Sequence, residues 1–181
     1  MQSEVLYSLR ARAEELFRNV QDEITSTLEL LDGGEKFFQE TWERPGGGGG
    51  RTRIMTEGDI FEKAAVNFSA VHGDAPDSMQ GAASAVREKG LRFFATGISL
   101  VLHPRSPKIP TVHANFRYFE QSSGESWFGG GSDLTPYYLD EEDAVHFHQT
   151  LKIACDKHDA SYYPRFKQWC DEYFFIKHRG E

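Results

Sequence analysis

The chain of 181 residues has the length of one globular domain, and its 39% hydrophobic and 27% charged residues exclude disorder of the whole chain. Asp and Glu outnumber Lys and Arg by 28 to 20, and the net charge of -8 disfavours binding to nucleic acid or an anionic membrane surface. No apolar run approaches the roughly 20 residues of a transmembrane helix and no signal peptide is recognisable, so we expect a cytoplasmic protein.

The first predicted element is a long amphipathic helix, since apolar residues recur at helical spacing from Val5 to Leu31. Asp32-Gly33-Gly34 marks its end. Five consecutive glycines, Gly46 to Gly50, follow shortly after. By composition this run is typical of a linker between domains, and the alternative is a backbone loop that approaches a ligand closely.

The middle of the chain is predicted to form strands. Residues Lys63 to Val71 alternate, with Ala64, Val66, Phe68 and Ala70 on one side, and a Gly-, Asp- and Pro-bearing stretch follows from His72 to Gly81. Two further extended segments, Leu91 to His103 and Thr111 to Glu120, are joined by a loop with three prolines. Because this loop is short, we expect the two segments to pair antiparallel.

Helical spacing returns in the last quarter of the chain. One helix is predicted from the acidic residues at 140–143 to about Lys157, and another from near Pro164 to His178. Helices therefore flank the strand segments, which predicts an α+β fold with an antiparallel sheet. Cys155 and Cys170 match no metal-binding spacing, so we expect reduced, packed thiols.

Alternation in the segment that begins at Thr111 predicts a polar strand face. His113, Asn115 and Arg117 fall on that face, and a hairpin with the preceding strand brings Ser99 and His103 beside them in a register that the sequence does not fix. The same pattern is typical of an ordinary solvent-exposed face of an antiparallel sheet, so both interpretations stand.

The histidines and one aspartate are further candidates. His103, His113, His148 and His178 suit a divalent transition metal if they converge, although their spacing matches no compact motif and a single inward histidine is typical of a core. Asp133 follows Gly129-Gly130-Gly131, and it is predicted either to accept hydrogen bonds from a ligand or to form a local turn or cap. Neither glycine run matches a nucleotide-binding motif.

Several long motifs resemble one family. These are the stretch from His103 to Glu120, Trp127-Phe128-Gly129-Gly130-Gly131-Ser132-Asp133-Leu134-Thr135-Pro136, residues Glu141 to His148, and Trp169 to Glu181. In this order they resemble the oxygen-dependent coproporphyrinogen III oxidases, and the resemblance extends from Trp42 to the last residue. It implies that Gly46 to Gly50 belongs to the domain and is not a linker.

The resemblance implies an α+β domain, usually in a homodimer, with an antiparallel sheet flanked by helices. Members of the family decarboxylate two propionates of coproporphyrinogen III to vinyls in heme biosynthesis, using dioxygen and giving protoporphyrinogen IX, carbon dioxide and hydrogen peroxide. The resemblance implies no organic cofactor. A divalent metal cation is a further expectation, with His103, His113, His148 and His178 matching the histidines assigned to it.

The resemblance also assigns roles to individual residues. His113 matches the proposed proton donor, and the substrate-contacting positions are matched by Ser99, Asn115, Phe116 and Arg117. Arg117 suits a propionate because a guanidinium pairs bidentately with a carboxylate. For Asp133 we expect a catalytic role in accepting hydrogen bonds from the pyrrole N–H groups.

Family members continue beyond Glu181, so we expect residues 1–181 to form a single domain of this kind that is shortened at its carboxyl end. Two other functions stay open on the sequence. One is a non-catalytic tetrapyrrole-binding module, and the other is a histidine-rich metal-binding protein.

Overall fold

The computed structural model describes residues 2–75 and 90–180, with side chains from residue 9 onward. The described residues divide into two compact units, Met1–Thr135 and Pro136–Glu181. The elements of the first unit are α1 (Gln2–Asp32), β1 (Phe38–Glu43), β2 (Gly48–Thr56), β3 (Phe61–Asp74), β4 (Arg92–Pro104), β5 (Thr111–Gln121) and β6 (Ser126–Thr135). The second unit contains α2 (Glu141–Asp156) and α3 (Tyr162–Phe174).

The six strands form one sheet in the order β1-β2-β3-β4-β5-β6, and every neighbouring pair is antiparallel. Each strand therefore pairs with the strands next to it in the sequence. The predicted antiparallel pairing across the proline loop is confirmed, with Ser99 opposite Asn115 and Val101 opposite His113. Together with the helices, the sheet confirms the α+β fold class.

Helix α1 packs against one face of the sheet and forms the core with it. Alternation places Val66, Phe68 and Ile98 on this face, where they are buried together with Phe17 of the helix. Gln21 is fully buried in the same contact, and its side-chain Nε2 donates to the backbone oxygen of Val66 at 2.7 Å. Because α1 covers one face, the side chains of the opposite face are not part of this core.

The end of α1 is fixed by the carboxylate of Asp32. It accepts hydrogen bonds from five backbone N–H groups, those of Gly34, Glu35, Asp59, Ile60 and Phe61, at 2.9–3.3 Å. Burial alone raises the pKa of this carboxyl, but the backbone donors prevail and hold the pKa well below its usual range. This residue therefore ties the helix end to the turn between β2 and β3.

Three predictions about the elements, those of a linker, of the end of the last helix and of a loop, are corrected by the structure. The linker interpretation of Gly46 to Gly50 is wrong, because β1 and β2 form a hairpin in which Trp42 lies opposite Gly50. The last helix does not reach His178 but ends at Phe174, since Phe175 is already extended. The glycine-containing strand β6 was not expected. Of the predicted loop from His72 to Gly81, residues 72–74 belong to β3 and 76–81 lie outside the described residues.

The second unit is a pair of helices. The side chain of Asp140 caps α2 by accepting from the backbone N–H of Glu142 at 2.9 Å, as the acidic run predicts. Both cysteines carry free thiols and are half-buried. Within the parts of the chain that the structure describes, no helix is long and apolar enough to cross a membrane.

Candidate functional site

The face of the sheet that points away from α1 carries the polar residues singled out in the sequence. We call the line Asn67, Ser99 and Asn115, which ends at Gly131, the polar row, because these residues lie directly opposite one another on β3, β4, β5 and β6. His113 and Asp133 lie opposite each other on one side of this row. Arg117 lies on the other side, between Gly97 and Gly129.

His113 and Asp133 form a hydrogen-bonded pair. The Nδ1 of His113 lies 2.8 Å from Oδ2 of Asp133, and the two side chains are 39% and 26% exposed. When Nδ1–H donates to the carboxylate, the ring is held in one orientation and Nε2 becomes the atom that exchanges a proton with a ligand. Asp133 lies within β6 and pairs with His113, so the alternative prediction of a local turn or cap is wrong.

Arg117, Ser99 and Asn115 are available for a ligand. Their side chains make no hydrogen bond or ion pair with another described residue, and those of Ser99 and Arg117 are exposed. A guanidinium, a hydroxyl and a carboxamide together supply N–H and O–H donors with one positive charge. The arrangement therefore suits an anionic ligand with carboxylate groups, in a protein whose net charge is -8.

Glycines and aromatic rings shape this face. At Gly131 an added Cβ meets no atom of the described residues within 4 Å, so among these residues the space above the backbone beside Asn115 is open. On the far side of Arg117, Phe119 stacks on Phe93 with ring centres 6.2 Å apart and on Trp127 with ring centres 5.3 Å apart. Aromatic rings therefore border the polar row and Arg117 on one side, and among these rings Trp127 is 50% exposed.

Phe116 is the predicted contact residue that the structure sets apart. It alternates with Asn115 and Arg117, and so its side chain lies on the opposite face of the sheet, beside Ala114 and Tyr118. Its ring is 47% exposed there. The structure therefore does not bring this ring together with the other predicted contacts, and only its backbone passes through the site.

The four histidines are not assembled within either unit. His103 and His113 belong to the first unit, where the Nδ1 of His103 is 3.5 Å from the hydroxyl of Thr111. His148 and His178 belong to the second, where the Nδ1 of His148 is 3.1 Å from the hydroxyl of Tyr163. Within each unit, the described residues contain no group of three His, Cys, Asp or Glu that fits a metal ion. We therefore assign no chemical step to a metal.

Sequence reasoning missed Asn67, which lies in the polar row opposite Ser99. The sequence does indicate the face on which Asn67 lies. The alternation that predicts Ala64, Val66 and Phe68 on one face puts Asn67 on the other. What the sequence lacked was the register between β3 and β4, which places this side chain next to Ser99.

Comparisons with known proteins identify the family of the chain. The family described as Coproporphyrinogen III oxidase matches residues 12–181. The chain is 53% identical over 187 residues to an oxygen-dependent coproporphyrinogen-III oxidase of Drosophila melanogaster, covering 96% of this chain and 47% of the relative. It is 49% identical over 186 residues to coproporphyrinogen-III oxidase 1, chloroplastic, of Arabidopsis thaliana, covering 96% and 48%. A relative from Prochlorococcus marinus (strain MIT 9313), named oxygen-dependent coproporphyrinogen-III oxidase, is 54% identical over 173 residues, covering 95% and 49%. The chain spans about half the length of the curated relatives it matches.

Proposed function

The chain belongs to the coproporphyrinogen III oxidase family, and from this premise we propose that it catalyses the oxidative decarboxylation of coproporphyrinogen III with dioxygen as the oxidant. Two propionates become vinyls, and the product is protoporphyrinogen IX of the heme pathway. The observation that carries the proposal is the His113–Asp133 pair on the same sheet face as the unpaired Arg117. The pair supplies a proton donor, and Arg117 supplies a cation that binds a carboxylate of the substrate.

The balance of the reaction defines what the protein must supply. For each side chain, a propionate, one dioxygen and one proton give a vinyl group, one carbon dioxide and one hydrogen peroxide. The C–C bond to the carboxylate and one C–H bond break, the new C=C bond forms, and two electrons pass to dioxygen. One proton per decarboxylation must therefore enter the site, which requires an acid close to the reacting groups.

Arg117 binds the substrate in this proposal. Its guanidinium pairs with a propionate carboxylate, and Ser99 and Asn115 of the polar row donate hydrogen bonds to another part of the substrate. Because Arg117 lies between Gly97 and Gly129, no side chain at these neighbouring positions stands between the guanidinium and the ligand. The contribution of Phe116 is restricted to its backbone, since its ring lies on the other face.

His113 supplies the proton from Nε2. Asp133 accepts from Nδ1–H through Oδ2 and stabilises the charged imidazolium before the proton leaves. The other carboxylate oxygen, Oδ1, makes no hydrogen bond with a described residue, and it is the atom that would accept a pyrrole N–H of the substrate. The pair thereby couples proton supply to the position of the macrocycle.

The test is incubation of the purified chain with coproporphyrinogen III under air and under argon, with protoporphyrin measured by chromatography after oxidation of the products. We expect product only under air, with turnover falling in His113→Ala by more than anaerobic substrate affinity does. His158→Ala is the matched control, since this histidine is exposed and lies in the connection between α2 and α3 of the second unit. Anaerobic binding without product under air would favour the tetrapyrrole-binding module instead.

Three further properties belong to the same proposal. Residues 1–181 act as one domain, and we expect fluorescence and circular dichroism to report a single urea transition. The chain forms a homodimer, which sedimentation equilibrium measures. It is located in the cytoplasm, although the Arabidopsis relative is named chloroplastic, and fractionation of the source cells distinguishes the two locations.

A further inference from the structure

Asn67, at the β3 end of the polar row, carries an unsatisfied carboxamide. Its Oδ1 is buried and has no hydrogen-bond partner among the described residues. Its Nδ2 has no partner there either, yet this atom is not among the buried unpaired atoms. The side chain therefore turns its oxygen inward and presents its two N–H donors to the face of the sheet.

Such an arrangement is costly in a protein interior. A buried polar atom without a hydrogen bond destabilises the fold by about 1–3 kcal/mol, and such atoms are rare in folded proteins. An apolar or smaller residue at this strand position would avoid the cost. A ligand that accepts hydrogen bonds from the carboxamide N–H groups would give the side chain a function that explains why this cost is tolerated.

The surroundings of Asn67 indicate an anionic ligand group. Ser99 is directly opposite on β4, and Asn115 lies one strand further. All three side chains offer donors that have no partner among the described residues. In the other direction the line continues through Thr52 of β2 to an acid, Glu40 of β1, which is two strands from Asn67 and therefore about 10 Å away. Asp133 lies outside the row, opposite His113, and its Oδ2 is hydrogen-bonded to that histidine.

We propose that Asn67 is a substrate-binding residue that, with Ser99 and Asn115, binds a second propionate carboxylate of the substrate, distinct from the one paired with Arg117. The inference rests on the proposed function. Coproporphyrinogen III carries four propionates, so holding one on Arg117 leaves others that need partners. The polar row lies about 7 Å along the strand from Arg117, which separates the two carboxylate positions.

The test measures anaerobic binding of coproporphyrinogen III by equilibrium dialysis, because turnover is then blocked. Asn67→Ala is expected to weaken binding about tenfold, the loss typical of one hydrogen bond to a charged group. Asn67→Asp replaces the donors by a negative charge of nearly the same shape, and it is expected to weaken binding at least fivefold beyond the alanine variant. Asn19→Ala, at an exposed position of α1, is the matched control with unchanged affinity.

The two substitutions separate this role from a structural one. Urea unfolding checks that both variants fold, and removal of the unpaired oxygen is expected to leave stability unchanged or higher. Tighter binding by Asn67→Asp than by Asn67→Ala overturns the proposal, since it means that the residue accepts a pyrrole N–H. If Arg117→Ala lowers substrate affinity and Asn67→Ala does not, the proposal for Asn67 is overturned and the proposed function still stands. No binding by the unaltered chain overturns both.

Discussion

Replacing Gly131 by alanine is expected to stabilise the protein and weaken substrate binding at the same time. The backbone of Gly131 lies outside the positive-φ region, and within the described parts of the chain an added Cβ meets no atom within 4 Å, so the strand accepts the methyl group. Lower entropy of the unfolded chain then raises the free energy of unfolding by about 0.5–1 kcal/mol. The same methyl group occupies the open space beside Asn115, where the proposed ligand lies.

Gly33→Ala is the matched control for stability. An added Cβ at Gly33 also meets no atom within 4 Å, but its φ of +75° is unfavourable for alanine. We therefore expect this variant to lose about 1 kcal/mol of unfolding free energy while its substrate affinity stays unchanged.

The assays are urea denaturation and anaerobic equilibrium dialysis with coproporphyrinogen III. Gly131→Ala is expected to bind several-fold more weakly, and Gly131→Leu more weakly again, because the larger side chain fills more of the space. Unchanged affinity in both Gly131 variants would refute the placement of substrate above this strand. A loss of stability in Gly131→Ala would refute the account of the local backbone.

Three other predictions concern separate parts of the molecule. Asp32→Ala is expected to lower the free energy of unfolding by about 3–5 kcal/mol, because five backbone N–H groups lose their acceptor. The pKa of Asp32 is lowered in the folded state, so the ionised carboxylate contributes its full stabilisation above the ordinary carboxyl range. This stabilisation declines as the pH falls below about 4. The urea midpoints of Asp32→Asn should lack this part of the acid dependence. Asp133→Asn should lower turnover about 100-fold while changing anaerobic affinity much less, and equal losses in both would contradict its action on His113. Dialysis against a chelator should leave anaerobic substrate affinity unchanged, and a loss reversed by added divalent metal would contradict the site described above.

Sequence patterns predicted the elements that have a strong period. The stripe from Val5 to Leu31 identifies α1, and alternation identifies most of β3, β4 and β5, because one face of each is buried against the helix. The glycine-rich strands β2 and β6 escaped prediction. Glycine has little preference for strands, and these segments are held by their register against the neighbouring strands.

The candidate site was predictable in its residue types and faces but not in its contacts. Alternation places His113, Asn115 and Arg117 on one face, which the structure confirms. Pairing of His113 with Asp133 depends on the register between β5 and β6. The position of Asn67 opposite Ser99 depends on the register between β3 and β4. Register is set by contacts between strands, so a single sequence carries little information about it.

The most direct test of the central claim, that substrate binds the sheet face opposite α1, is the anaerobic affinity of Arg117→Ala for coproporphyrinogen III compared with that of Arg12→Ala. Both arginines are exposed and neither forms an ion pair with a described residue, so each substitution removes one unpaired positive charge. Arg12 belongs to α1, away from the polar row. We expect at least a tenfold loss of affinity for Arg117→Ala and none for Arg12→Ala. Equal affinities in the two variants would contradict it, because the substrate would then bind elsewhere.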